Sequence, residues 1–263
     1  MPFRLRFTSI AIVLLILAGS MRATPVPCSD RDTEEFNYSW RLRGGLAWIA
    51  GLRFPTSGVG ALRTGVPTVG NRDIDSELVI RPSKGRSGFY IYQSQIDTAG
   101  QKTLMTYHGY SWGDRERKER TFFDYVKRLA RIRKETTDQA VENRVKPIPH
   151  KDMRDILTGI YFLRRNAGTF EKPMTSEIYS DGKIYPVVFK PGDRHSFIVA
   201  GEKVEARAYD IEAAPGETSK KWPGGLRVWL SDDARHVPVR IEIRKNFASL
   251  QLDLQSLNEC SAI

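Results

Sequence analysis

The stretch Leu226–Leu254, LRVWLSDDARHVPVRIEIRKNFASLQLDL, decides the fold. Its apolar residues recur at every second position: Leu226, Val228 and Leu230, then Val237, Val239, Ile241 and Ile243, then Ala248, Leu250, Leu252 and Leu254. Arg227, Arg240, Glu242, Arg244, Gln251 and Asp253 take the other face. Successive side chains of a strand point to opposite sides, so this period of two predicts a three-stranded antiparallel meander with one face on a core and one in water. Ser231–Arg235 is polar and short, as a hairpin turn requires. Pro238 cannot donate to a ladder, and its outward position suits an edge or a bulge.

Working outward, turn signals punctuate the chain at Pro82-Ser83-Lys84-Gly85, Thr98-Ala99-Gly100, Ser180-Asp181-Gly182, Pro191-Gly192-Asp193, Ala200-Gly201 and Pro223-Gly224-Gly225. Strands are expected between them, over 34–42, 46–54, 74–81, 88–96, 102–109, 174–179, 183–190 and 203–211. One helix is expected, over about residues 150–165. Pro149 and Asp152 suit its first turn, and Met153, Ile156, Leu157, Ile160, Tyr161 and Leu163 form its apolar stripe ahead of Arg164-Arg165. Phe122–Lys134 also keeps helical spacing, so periodicity leaves strand or helix open there. Strands do not alternate with helices, which excludes a doubly wound α/β fold. The reading is mainly β: an antiparallel curved sheet, open barrel or sandwich with one packed α-helix, as a single domain over 31–257.

With 263 residues, 40% hydrophobic and 27% charged, the chain has ample material for a core, which excludes disorder, collagen and a disulfide-dense miniprotein. Its start reads as an address. Arg4 and Arg6 precede the uncharged run Ser9–Ala18, which has the length of a secretory h-region and is too short to span a bilayer. Residues 1–20 are therefore expected to be a signal peptide cut between 20 and 23, placing the mature chain in the periplasm or otherwise outside the cytoplasm, with no integral membrane span. Val26-Pro27 before Cys28 does not fit a lipoprotein signal. Losing the leader removes two arginines and no acid, so a net charge of +10 becomes +8. Export puts cytoplasmic nucleic acid out of reach and turns this basic chain toward anionic envelope components. It also makes Cys28 and Cys260, the only two cysteines, an expected disulfide.

Gly109-Tyr110-Ser111-Trp112-Gly113 matches the nucleophile elbow G-x-S-x-G. The helix that follows such a serine packs on a sheet, whereas here Asp114–Arg120 is seven consecutive charges that cannot be buried without partners. A Gly-bounded turn feeding a solvated segment is the simpler reading, and no catalytic residue is assigned. His108, His150, His195 and His236 have no metal-ligand spacing, so no metal is expected, and no nucleotide loop calls for a cofactor. The stretch Arg115–Lys134 is basic, with Arg115, Arg117, Lys118, Arg120, Lys127, Arg128 and Arg131 as a candidate surface for anionic lipid. Ile184-Tyr185-Pro186-Val187-Val188-Phe189 is apolar on both faces. It is either a central strand covered on both sides by protein or a cavity wall, and in the second case Tyr185, Val187 and Phe189 are the candidate ligand-binding residues.

Several segments together resemble a family of bacterial exported proteins known as domain-of-unknown-function family 3108. They are Glu35-Phe36-Asn37-Tyr38-Ser39-Trp40, Gly44–Gly51, Asp155–Arg164, and Val228–Asp233 followed by His236–Arg240. The resemblance spans most of residues 33–255 and implies a β-rich periplasmic domain, an open barrel or curved sheet around a helix. It implies a hairpin over Phe122–Lys134 and supplies no reaction. Asp155 and Arg164 are nine residues apart, too far for a direct helix pair, so each is expected to hold a neighbouring loop. The expected role is non-enzymatic binding of an apolar or anionic envelope ligand such as lipid. The alternatives are a serine hydrolase of envelope material acting through Ser111 and a ligand-free envelope scaffold.

Overall fold

The computed structural model describes residues 33–44, 55–65, 73–82, 88–148, 152–180, 182–216, 222, 224–245 and 248–259. The first eight strands are β1 (Thr33–Arg43), β2 (Ser57–Gly65), β3 (Asp73–Pro82), β4 (Gly88–Asp97), β5 (Thr103–Trp112), β6 (Arg115–Asp124), β7 (Leu129–Thr136) and β8 (Gln139–Pro147). One helix, α1 (Ile156–Asn166), follows. Then come β9 (Met174–Ser180), β10 (Lys183–Val199), β11 (Glu202–Ala213), β12 (Gly224–Ser231), β13 (Pro238–Lys245) and β14 (Ala248–Glu259). All fourteen belong to one antiparallel sheet in the order β8-β7-β6-β5-β4-β3-β2-β1-β14-β13-β12-β11-β10-β9.

That order joins two runs of hairpins through one long-range pair, β1 on β14, with Tyr38 opposite Leu254 and Trp40 opposite Leu252. The sheet is curved and unclosed, its edges being β8 and β9, which are consecutive in the chain. The helix explains the curvature. Every residue from Leu157 to Leu163 is buried, and a helix apolar on all sides must be surrounded. It touches β3 and β4 from one half of the sheet and β9 and β12 from the other. Gly159 lets it approach β11, since a Cβ there would stand 3.3 Å from Ile211 Cδ1. The main core lines the concave face with Phe36, Tyr38, Leu62, Leu78, Phe189, Ile211, Leu226, Val228, Ile241 and Leu252.

The chain between the two edges fills the gap they leave. Thr103 N–H donates to the Met153 carbonyl (2.9 Å) and Tyr179 N–H to the Arg154 carbonyl (2.7 Å). Lys146 Nζ reaches the Gly182 carbonyl (2.9 Å), and the hydroxyls of Thr121 and Tyr179 are 3.0 Å apart. Phe123, Ala130, Ile148, Met153 and Tyr179 pack into a small second core at this seam.

The meander read from Leu226–Leu254 is β12, β13 and β14 with its inward residues as expected. Pro238 sits at a bulge, where the β12–β13 register shifts beside Leu230, rather than at an edge. Phe122–Lys134 is the β6–β7 hairpin, with Arg128 at φ 54° in its turn. The helix starts at Ile156, later than expected, because Arg154 is held in extended form against β9. Two strands, β2 and β8, and the part of β6 ahead of Phe122 went unread. Between β1 and β3 the described strand is Ser57–Gly65, while residues 46–54 lie outside the described residues, and β6 and β8 are strands of mostly charged and polar sequence.

Candidate functional site

Asp155 takes the N-cap of the helix, its Oδ1 accepting from Thr158 N–H at 2.7 Å. Its other oxygen accepts from Ser94 Oγ, and its own N–H donates to Thr103 Oγ1 at 2.9 Å. Thr64, Ser76, Ser94, Thr106 and Thr121 are register neighbours across β2 to β6 and are all buried, a row of small hydroxyls that leaves room for the helix to enter. Burial pushes the Asp155 carboxyl above its ordinary value, against the pull of its hydrogen bonds. Sequence reasoning passed over this row; the signal was hydroxyls at inward positions where the alternation calls for apolar residues. At the other end of the helix Arg164 pairs with Glu34 (2.9 Å), donates to the carbonyls of Arg235 (3.4 Å) and His236 (3.2 Å), and lies over the Phe36 ring. Asp155 and Arg164 thus hold separate neighbours, as their spacing implied.

Between the start of the helix and the concave sheet lies a cavity of about 360 Å³. Ile156 and Leu157 contribute from the helix, and Trp40, Leu78, Ile80 and Tyr92 from β1, β3 and β4. Tyr185, Ile243 and Leu250 line it from the other half of the sheet, with Trp222. Its polar contributors include Ser180 and the Arg244 guanidinium beside Tyr92 and His108. His108 stacks on Tyr92 with ring centroids 4.0 Å apart, and the Tyr92 phenol is held neutral because burial, then the nearby Asp155, raise its pKa well above the ordinary value. A groove of about 430 Å³ adjoins the cavity, sharing Trp40, Pro55, Ile80 and Tyr90 and adding Phe89, Tyr110 and Arg115. A larger concavity, about 570 Å³, lies between Phe197–Val199 of the β10–β11 hairpin and Arg41, Arg240 and Asp253. Arg41 and Arg240 both pair with Asp253 (2.9 and 2.5 Å), so its charged groups are already engaged with one another and the smaller apolar cavity is the stronger candidate.

Of the three residues singled out on β10, Tyr185 lines the cavity, while Val187 and Phe189 are fully buried in the main core, Phe189 edge-on to Phe162 of the helix. On the other face Ile184 packs on the seam core. The basic residues do not form one patch. Arg115 and Arg117 share the face of buried Glu119 and Thr121, Lys118 and Arg120 take the opposite face, and Lys127 and Arg128 lie in the turn. Arg117 pairs with Glu119 (2.8 Å), Lys118 with Glu116 (3.1 Å) and Arg131 with Asp124 (3.7 Å), and Arg120 lies over the Tyr107 ring.

Ser111 sits near the end of β5, and the charged run after it continues as β6 in a hairpin, with Ser111 opposite Glu116. His108, three residues earlier on the same strand, faces the opposite side of the sheet from Ser111. His195 is on β10 and His236 in the turn before β13. Among the described residues no three His, Cys, Asp or Glu side chains are grouped to hold a metal ion, and no helix is long and apolar enough to cross a membrane. Cys28, Cys260, His150 and the expected leader lie outside the described residues.

The family described as "Protein of unknown function (DUF3108)" matches residues 36–255 of this chain. No curated protein matches. Among solved structures, a β-barrel-like protein of the domain of unknown function DUF1849 from Brucella abortus superposes with a TM-score of 0.55 at 8% identity, covering 86% of this chain and 97% of that one. It shares the fold. The Mycobacterium tuberculosis lipoprotein LppX matches at 13% identity over 86% of each chain with a TM-score of 0.26, too loose a superposition to argue from.

Proposed function

We propose that this chain, which belongs to the DUF3108 family, is an exported envelope protein that binds an apolar or anionic amphiphile such as a lipid inside its curled sheet, without reacting with it. The cavity beneath the helix carries the reading: about 360 Å³, inside the range of roughly 300–1,000 Å³ typical of small-molecule sites, with mostly apolar walls and a few polar groups to orient a guest. Trp40, Leu78, Ile80 and Leu250 make this an apolar concavity that is partly open to solvent, the form through which an apolar guest can enter. A mostly apolar wall with Tyr92, His108, Ser180 and the Arg244 guanidinium as its polar groups suits a guest with an apolar body and a polar or anionic head.

Native mass spectrometry and solvent extraction of protein purified from the cell envelope test this directly. A bound apolar compound is expected in wild type. Ile243→Trp, which fills the cavity from a half-buried position on β13, is expected to retain the fold and lose at least about tenfold of that occupancy. Wild type that never retains an apolar compound and takes up no fluorescent fatty acid overturns the reading and leaves the scaffold alternative.

A further inference from the structure

The lip of the cavity has a composition that its contents do not require. Phe89, Tyr90 and Tyr110 are 43%, 39% and 39% exposed, and Tyr90 and Tyr110 are register partners on β4 and β5. Among the described residues the other exposed aromatic ring is Phe122, on a different part of the sheet. All three lip aromatics line the groove that adjoins the cavity, and its one charged side chain is Arg115. On β6 and β7, Arg117 is matched by Glu119, Lys118 by Glu116, Arg131 by Asp124 and Arg133 by Glu135. Arg115 pairs with no described acid, and no acidic residue lines the groove. An apolar, aromatic lip around an unmatched cation, on a chain whose net charge of +10 becomes +8 without the expected leader, fits one environment well: the interfacial zone of an anionic bilayer, where amphipathic rings settle at headgroup level and a basic side chain meets lipid phosphate.

We propose that this lip docks the protein on an anionic membrane surface, with Phe89 and Tyr110 inserting and Arg115 contacting headgroups. The inference stands on the outside of the cavity and does not depend on what the cavity holds. Its partner is a lipid surface, not another protein.

Protein purified from cells expressing the full chain is sedimented with vesicles of phosphatidylcholine alone or with about one-third phosphatidylglycerol, at low and high salt. Binding to the anionic vesicles, weakening with salt, is expected. Phe89→Ser with Tyr110→Ser should lower partition at least about tenfold on both compositions, and Arg115→Gln about fivefold on anionic vesicles only. Phe122→Ser, exposed but away from the lip, should change nothing. Circular dichroism melts establish that each variant is folded, and if the double variant is not, Arg115→Gln decides alone. Equal sedimentation of wild type and lip variants, loss of binding in Phe122→Ser, or no wild-type binding to anionic vesicles each overturns the proposal. Fatty-acid uptake measured without vesicles separates the two readings: failed uptake with intact docking removes the cavity reading alone, and intact uptake with failed docking removes this one.

Discussion

Gly58 lacks a side chain because Trp40 occupies the space. A Cβ there would lie 1.9 Å from the Arg81 carbonyl oxygen and 2.5 Å from Trp40 Nε1, and that indole N–H donates to the same carbonyl at 2.8 Å. Gly58→Ala should therefore force β1, β2 and β3 apart locally and cost about 2–3 kcal/mol in a urea titration. Asp155 makes a prediction of opposite character. Its folded pKa is raised above the ordinary 3.8 by burial, so the fold binds its proton more tightly than the unfolded chain does. The resulting stabilisation is full below that ordinary value and is lost as pH rises through the folded pKa. Asn keeps the N-cap acceptor and has nothing to titrate. Urea midpoints at about pH 4 and about pH 8 should show wild type losing stability relative to Asp155→Asn as pH rises, and a constant difference would count against a raised carboxyl.

The strand Lys183–Val199 shows how one element serves two masters. Its apolar run needs cover on both faces, and the protein supplies most of it: Val187 and Phe189 meet the helix core, Ile184 meets the seam core, and Tyr185 looks onto the cavity. Val187→Asp buries an unpaired carboxyl and should cost about 4 kcal/mol, with unfolding well below the wild-type melting temperature. Tyr185→Asp, at a half-buried wall, should leave the melt within a few degrees while abolishing fatty-acid uptake. Parallel losses of fold and uptake in both variants would assign Tyr185 to the core instead. The helix is the complementary element: buried on every side, it is held in depth by Asp155 at one end and in orientation by Arg164 at the other.

Across the whole molecule, the β1–β14 pair turns two sets of hairpins into one sheet. Glu34 and Glu259 are register partners at its end, so the chain stretches carrying Cys28 and Cys260 leave from neighbouring strands. We propose a disulfide between Cys28 and Cys260 because they are the chain's only two cysteines and export is expected. It would constrain the unfolded chain by about 5 kcal/mol in the loop-entropy picture, less any structure the unfolded chain retains. Denatured, unreduced protein should show no titratable thiol, and two free thiols would dismiss the bond.

Local periodicity was enough to establish strands, hairpins and one apolar helix, because inward and outward positions of Leu226–Leu254 and the stripe Ile156–Leu163 are written in nearest-neighbour chemistry. It failed where that chemistry is silent. β8 is exposed along nearly its whole length and carries no alternation, and β2 spends its inward positions on Gly58 and Gly60 to admit Trp40 and Tyr38. The charged β6 hides Glu119 and Thr121 on its inner face, which composition alone reads as a solvated run. Only the tertiary structure decided that β1 meets β14 and that β8 and β9 remain edges. Those pairings join residues some two hundred positions apart, such as Tyr38 and Leu254, and depend on burying one shared concave surface rather than on any local pattern. The cavity follows from the same closure, since its walls come from both halves of the sheet and exist as a site only once the two are brought together.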